Sequence, residues 1–177
     1  DQDNLPISES ADKNYKSPYA LQKYMGEMVA EMYNKLYGIK TISLRYFNVY
    51  GKGQSSVGAY ASVIAKFLDL NTKGKSLTIT GDGNQTRDFI HVEDVARANI
   101  ISMEMIDKII INSFNIGSGK SVSVNEIADI IGGERKYIES RIEPRNSMAD
   151  ISKAKKLLKW SPKVDFKKGL LNIIKSL

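Results

Sequence analysis

Residues 39 to 47, IKTISLRYF, are β-branched and aromatic with little alternation between polar and apolar positions. A strand with one wet face alternates, whereas a run like this predicts a strand covered on both sides, as in a parallel sheet flanked by helices. Ahead of it, Leu21, Met25, Met28, Val29, Met32 and Leu36 recur at steps of three and four. That spacing predicts a helix with a buried face, opened by Ser17 as N-cap and Pro18 at the first position and ended near Gly38. Behind it, AYASVIAKFLDLNTKG predicts a helix stopped at Gly74, and SLTIT a short strand. The segment RDFIHVEDVARANIISMEMI starts as a strand and becomes a helix from about Val92, with Glu93 and Asp94 suited to its N-terminus. NSFNIGSG reads as a strand ending in a glycine turn, and SVSVNEIADIIGG as a helix with a glycine stop. From Asp150, ADISKAKKLLKW and DFKKGLLNIIKSL predict two more helices. Strands alternating with helices make this an α/β chain.

The order looks incomplete. The first 16 residues are polar and turn-rich, a loop that other parts must hold, and nothing before the covered strand supplies it with partner strands. The expectation is a chain lacking the first half of a larger domain. With 177 residues, 42% of them hydrophobic, it is still long enough to bury a core.

Composition narrows the chemistry. No run approaches the roughly 20 apolar residues that span a bilayer, and the start lacks the apolar centre of a signal peptide, so a cytoplasmic protein without membrane contact is expected. Cysteine is absent, which excludes disulfides and thiolate metal sites, and one histidine cannot build an imidazole cluster; no metal is expected. His91, at a strand end, reads as a packed side chain. The net charge of +6 leans on the tail, where Lys153, Lys155, Lys156, Lys159, Lys163, Lys167 and Lys168 crowd together. No aromatic residues are interleaved to stack bases, since Trp160 beside Pro162 reads as core. A solvated helix surface fits better than a nucleic-acid footprint, and no nucleic-acid partner is expected.

The helix at 18 to 37 carries a second pattern. Tyr19 and Lys23 lie four apart, about 40° around the helix, so their side chains share a face turned away from the main apolar stripe. A phenol works as acid or base near neutrality only when a neighbouring cation favours its phenolate, and a lysine one turn away supplies one. With nine tyrosines in the chain, about one Tyr-x-x-x-Lys is expected by chance. Context has to decide.

SPYALQKYMGE, LRYFNVYGKGQ, GDGNQTRDFIHVEDVA, FNIGSGKSVSVNEIA and ADISKAKKLLKWSP, in that order from Ser17 to Pro162, together resemble the extended short-chain dehydrogenase/reductase family, in particular its NAD-dependent nucleotide-sugar epimerases and dehydratases. The resemblance implies the C-terminal part of a Rossmann-like doubly wound parallel sheet plus a small α/β substrate-binding lobe. Residues 1–50 would be the remaining part of the dinucleotide-binding domain, and 51–177 mainly the nucleotide-sugar lobe, with 88–117 returning to the Rossmann sheet. The family's glycine-rich dinucleotide loop and its upstream catalytic serine or threonine have no counterpart here; GSGKSVSV comes too late, and Ser17 is too near Tyr19.

The same resemblance implies roles. Tyr19 and Lys23 would be catalytic and would touch NAD, and Tyr46 and Phe47 would lie beside the nicotinamide. Asn48 and Arg87 would hold the substrate diphosphate, a task suited to forked guanidinium donors. A turn-forming Asn48, and a surface Arg87 paired with Asp88, are the ordinary readings. The backbone of Thr78, Ile79 and Thr80 would run along the base, which is then read by main chain. Relatives carry Arg-x-Gly-Asp/Glu ahead of ADISKA; here SRIEPRNSM lacks that glycine, so Arg141 with Glu143 fits if one residue is deleted, and Arg145 is the alternative. The implied activity is NAD-dependent 4-epimerisation of a nucleotide-diphosphate sugar of the UDP-glucose/UDP-galactose type. A 4,6-dehydratase, a decarboxylase and a non-catalytic nucleotide-sugar-binding chain remain alternatives. Relatives form homodimers through the tyrosine-bearing helix, and this one's methionines suit such a seam as well as a core.

Overall fold

The computed structural model describes residues 4–15, 17–58, 61–109, 112–140 and 144–177. Helix α1, Pro18–Tyr37, forms where its signals predict it: the Ser17 Oγ accepts the Ala20 N–H at 3.1 Å, and Gly38 closes the helix in the left-handed region at φ 68°. Its apolar stripe is a different matter. Leu21, Met25, Met28, Val29, Met32 and Leu36, expected to be a buried face, are 43–64% exposed, and α1 buries no side chain fully. Periodicity marks a face that favours burial; here nothing among the described residues covers it.

Strand β1, Ile42–Tyr46, is followed after one residue by β2, Asn48–Tyr50. Helix α2, Val63–Thr72, leads to β3, Leu77–Thr80, and then β4, Thr86–Arg87, and β5, Phe89–His91, run into α3, Val92–Glu104. Strand β6, Asn112–Ile116, precedes β7, Val122–Ser123, helix α4, Val124–Ile131, β8, Arg135–Ile138, and finally α5, Phe166–Lys175. Three pairings are parallel: β1 with β6, β2 with β5, and β3 with β8; β4 and β7 pair antiparallel. Parallel pairs joined through helices give the mixed α/β architecture that the alternation predicts.

Strand β1 was expected to be covered on both sides. It is mostly half-buried, because among the described residues it has a neighbouring strand on one edge only. At its end the chain steps sideways: Phe47 still donates its N–H to Ile116 at 3.0 Å, and Asn48 already donates to Asp88 at 2.9 Å. This one-residue transfer from the β6 ladder to the β5 ladder positions the site.

Two apolar clusters lie on either side of that step. Tyr50, Phe67, Leu77, Ile79, Phe89, Ile127 and Leu170 belong to one, and Ile90, Phe114, Ile116, Ala154, Leu158 and Trp160 to the other. Trp160 is core, as read from the sequence. The opening loop is held as expected, with Asn115 Nδ2 donating to Ile7 O at 2.8 Å and Ile7 bridging to Ala149. Residues 152–158 are helical, as their pattern suggests, though shorter than the whole segment and not α-helical throughout. After α-helical residues 152–153 comes a π-turn, Ala154–Leu158, ended by Lys159 at φ 55°, and Leu158 and Trp160 are both buried.

Candidate active site

Two clefts flank the step between Phe47 and Asn48. The larger, about 690 Å³, lies between α1, the opening loop and the end of β1, and it brings Tyr19, Lys23, Tyr46 and Phe47 to one wall system. The Lys23 Nζ stands 5.4 Å from the centre of the Tyr19 ring, over its face, so the four-residue spacing produces the proximity expected of it. Tyr46 donates its hydroxyl to Asn99 Oδ1 at 2.9 Å, which fixes its ring at the mouth of the strand. Lys13, from the opening loop, also faces this cleft; partial burial and then the Arg45 guanidinium push its amine below the ordinary lysine value.

The second cleft, about 320 Å³, is lined by Asn48, Thr78, Thr80 and Arg87, together with Ser62 at the N-cap of α2, Lys66 and Phe67 within that helix, and Gln85. Alternation along β3 explains which residues reach it. Leu77 and Ile79 are buried, and their phase of the backbone is spent on β8, as the Leu77 N–H to Glu134 O bond and the Gly81 N–H to Ile138 O bond show. The Thr78 and Thr80 side chains therefore face the cleft, and the Ile79 side chain packs in the core. Gln85 Nε2 donates to Thr80 O at 2.9 Å and closes that strand end.

Arg87 is held by main chain: its Nη1 donates to Thr86 O at 2.9 Å and to Arg145 O at 3.3 Å. Asp88, its sequence neighbour, points to the other face of the strand, where its buried carboxylate accepts from Ser118, Gly119 and Ala149. Arg145 does not line the cleft. Its guanidinium forks onto Asp82 at 2.7 and 3.0 Å, and these bonds, with the Asn84 N–H, hold the Asp82 carboxyl well below the usual carboxylate range. Arg141 and Glu143 lie outside the described residues. His91 is a packed side chain: its Nδ1 accepts the Glu93 N–H at 3.3 Å at the start of α3, and its ring meets Tyr50 edge-on.

Sequence reasoning overlooked Lys66, Ser62 and Gln85 in the second cleft, and Lys13 in the first. Ser62 and Lys66 stand four apart on one helix face, a signal that was available; Gln85 carried none.

A family model described as the NAD dependent epimerase/dehydratase family matches residues 1–117. The chain belongs to that family. Over 96% of its length it is 44% identical to a putative UDP-glucose 4-epimerase of Methanocaldococcus jannaschii, and it spans 56% of that protein. A crystal structure of UDP-glucose 4-epimerase with UDP-glucose from Thermotoga maritima superimposes with a TM-score of 0.91 at 37% identity, covering 99% of this chain and 58% of that one. UDP-glucuronic acid 4-epimerase from Bacillus cereus, in complex with UDP-glucuronic acid and NAD, gives 0.89 at 32% identity, with 99% and 58% covered. The chain thus spans little more than half the length of the relatives it matches, and the Rossmann-like fold is shared along nearly all of it.

Proposed function

We propose that the whole protein carrying this chain is an NAD-dependent 4-epimerase of a UDP-hexose, and that the two clefts divide its work between chemistry and anchoring. The observation that carries the reading is the Tyr19–Lys23 stack on the wall of the larger cleft, separated from the Arg87 cleft by one peptide step at Phe47 and Asn48. The names of the three relatives support the 4-position and the uridine base.

The larger cleft suits the nicotinamide end of NAD: its size is that of a small-molecule site, its wall offers the aromatic faces of Tyr19, Tyr46 and Phe47, and Lys23 offers an amine to ribose hydroxyls. NAD supplies a hydride acceptor that gives the hydride back. Tyr19, with the Lys23 amine beside it, would take the proton from the sugar 4-hydroxyl as hydride leaves C4 and, once the keto-sugar has turned and hydride has come back to the opposite face of C4, would return the proton to the 4-oxygen. Asn48 and Arg87 hold the diphosphate, and the backbone of Thr78, Ile79 and Thr80 lies along the base. Of the two further arginines, Arg141 with Glu143 is preferred, because Asp82 already occupies the Arg145 guanidinium. Binding energy is then placed on the part of the substrate that does not react.

Three further parts belong to the proposal. Residues 1–50 and 88–117 form the cofactor side and the remainder of 51–177 forms mainly the sugar side. Two copies associate through the exposed stripe of α1. The enzyme works in the cytoplasm, where NAD and nucleotide sugars are at hand.

The test is conversion of UDP-glucose to UDP-galactose by the whole protein, followed by NMR. Tyr19→Phe is expected to abolish turnover almost completely while leaving the calorimetric affinity for UDP-glucose unchanged. Undiminished turnover in that variant overturns the reading.

A further inference from the structure

Helix α1 carries the Tyr19–Lys23 pair, yet it lands on the sheet without a single fully buried side chain. Its inner, half-buried face is Ala20, Tyr24, Glu27, Ala30, Glu31 and Asn34, small or polar apart from the Tyr24 ring, which packs against Tyr15 of the opening loop. Apolar packing therefore does little to fix how far the helix slides or rolls. A charge pair does this instead. Arg45 Nε donates to Glu27 Oε1 at 2.8 Å and Arg45 Nη2 to Glu27 Oε2 at 2.7 Å, a two-point fork that fixes both distance and angle. Both side chains are about three-quarters buried, so solvent screens the pair less than a surface one.

The fork is itself anchored. Arg45 Nη1 donates to Glu9 O at 2.9 Å, the Glu9 carboxylate accepts the Asn115 N–H at 2.8 Å, and Asn115 Nδ2 donates to Ile7 O and Asp150 O. Arg45 thus ties β1, β6 and the opening loop together, and presents its remaining donors to one carboxylate on α1. Glu27 lies one turn beyond Lys23 and two beyond Tyr19 along the helix, and Arg45 precedes Tyr46, the last residue of β1, and Phe47 just after it. One ion pair therefore joins the two walls that carry the proposed catalytic and cofactor-facing side chains.

We infer that Glu27 and Arg45 are positioning residues, which set the placement of the Tyr19 hydroxyl and the Lys23 amine against the end of β1. A helix that shifts by one residue moves about 1.5 Å, and a displacement near 1 Å costs about a hundredfold in rate. The inference rests on the epimerase reading given above, and the experiment separates the two.

In the whole protein, Glu27→Gln and Arg45→Met are assayed singly and together beside Tyr19→Phe, with kcat and KM for UDP-glucose and a thermal melt for each. Each single change is expected to lower kcat by about a hundredfold and leave KM within about threefold, since Asn48 and Arg87 sit in the other cleft. The double variant falls no further than the worse single one, as two members of one device require. If either single variant fails to fold, Glu27→Asp keeps the charge, shortens the fork by one methylene, and is expected to show the same kcat loss with KM kept. Unchanged kcat in the folded single variants, or additive losses in the double, overturns the inference; normal turnover in Tyr19→Phe overturns the epimerase reading instead.

Discussion

Asn48 gives two hydrogen bonds to one atom, the carbonyl oxygen of Asp88: its backbone N–H at 2.9 Å and its Nδ2 at 3.1 Å. The residue after the step from β1 to β2 is thereby locked to β5 by both main chain and side chain. Asp88 in turn is fixed through its carboxylate, which accepts the N–H groups of Ser118, Gly119 and Ala149 and the Ser118 hydroxyl, between 2.6 and 3.0 Å. Nothing larger than glycine fits beside it, since a Cβ on Gly117 would stand 2.9 Å from Asp88 Oδ2 and 2.6 Å from the Ala149 Cβ. Asp88→Asn turns an NH₂ group toward donors and leaves at least one buried N–H without an acceptor. The expected loss is about 2 to 4 kcal/mol of unfolding free energy, read from urea denaturation.

Arg87 is oriented by main-chain oxygens, of Thr86 and Arg145, which no side-chain change elsewhere removes directly. Truncating it should leave the frame intact and take one charge-assisted contact from the diphosphate. Arg87→Ala is expected to weaken UDP-glucose binding by about 1.5 to 3 kcal/mol with a melting temperature close to that of the parent. Calorimetry and a thermal melt on the same sample check both halves; a loss confined to stability would make Arg87 a structural residue.

Tyr50 supplies a pH test of the core next to the site. It is 1% exposed, its hydroxyl donates to Phe166 O at 3.3 Å, and burial, then the Asp165 and Asp94 carboxylates, push the phenol far above its ordinary value. A group whose folded value is raised adds stability that is complete below its unfolded value of about 10 and is lost as pH rises beyond it. The protein should therefore weaken above about pH 10, and Tyr50→Phe should flatten that alkaline limb while costing about 1 kcal/mol for the lost hydrogen bond. Unfolding followed at pH 8 and pH 11 measures the difference.

How much of this could be read from residues alone depended on where the signal is local. The N-cap of α1, the Ser123–Glu126 capping box of α4 and the glycine stops after α1 and α4 are made by neighbours in sequence, and they stand where the sequence puts them. The Tyr19–Lys23 stack follows from helix pitch alone. Long-range pairings were silent. Strand β8, RKYI, is largely exposed and half charged, and only its pairing with β3 makes it a strand. Residues 152–158 follow their helical pattern, but its π-turn and its end at Lys159 go with Trp160, buried and bonded to the Asp94 carbonyl, which is 66 residues away in sequence. Ile79 reads like its threonine neighbours until the pleat turns it inward, and the Arg145–Asp82 pair spans 63 residues with nothing in either segment to announce it.

The exposed stripe of α1 leads to the last prediction. Met25 and Met28 are each 54% exposed and Met32 is 47% exposed, one above the other with Leu21, Val29 and Leu36, while the helix's inner face is already turned to the sheet. An apolar band of this extent on one helix is a surface that association covers, and methionine adapts well to a self-complementary seam. Burying each methionine against a second copy contributes about 2 kcal/mol, so replacing it by glutamate should weaken association by at least about thirtyfold per site. Met28 lines a small cleft with Glu27 and Arg45, so Met25 and Met32 are the positions that alter the outer face without touching that pair. Sedimentation of the whole protein is expected to give a dimer, and of Met25→Glu with Met32→Glu a monomer that still binds UDP-glucose. A parent protein that sediments as a monomer at micromolar concentration would show that this face has some other use.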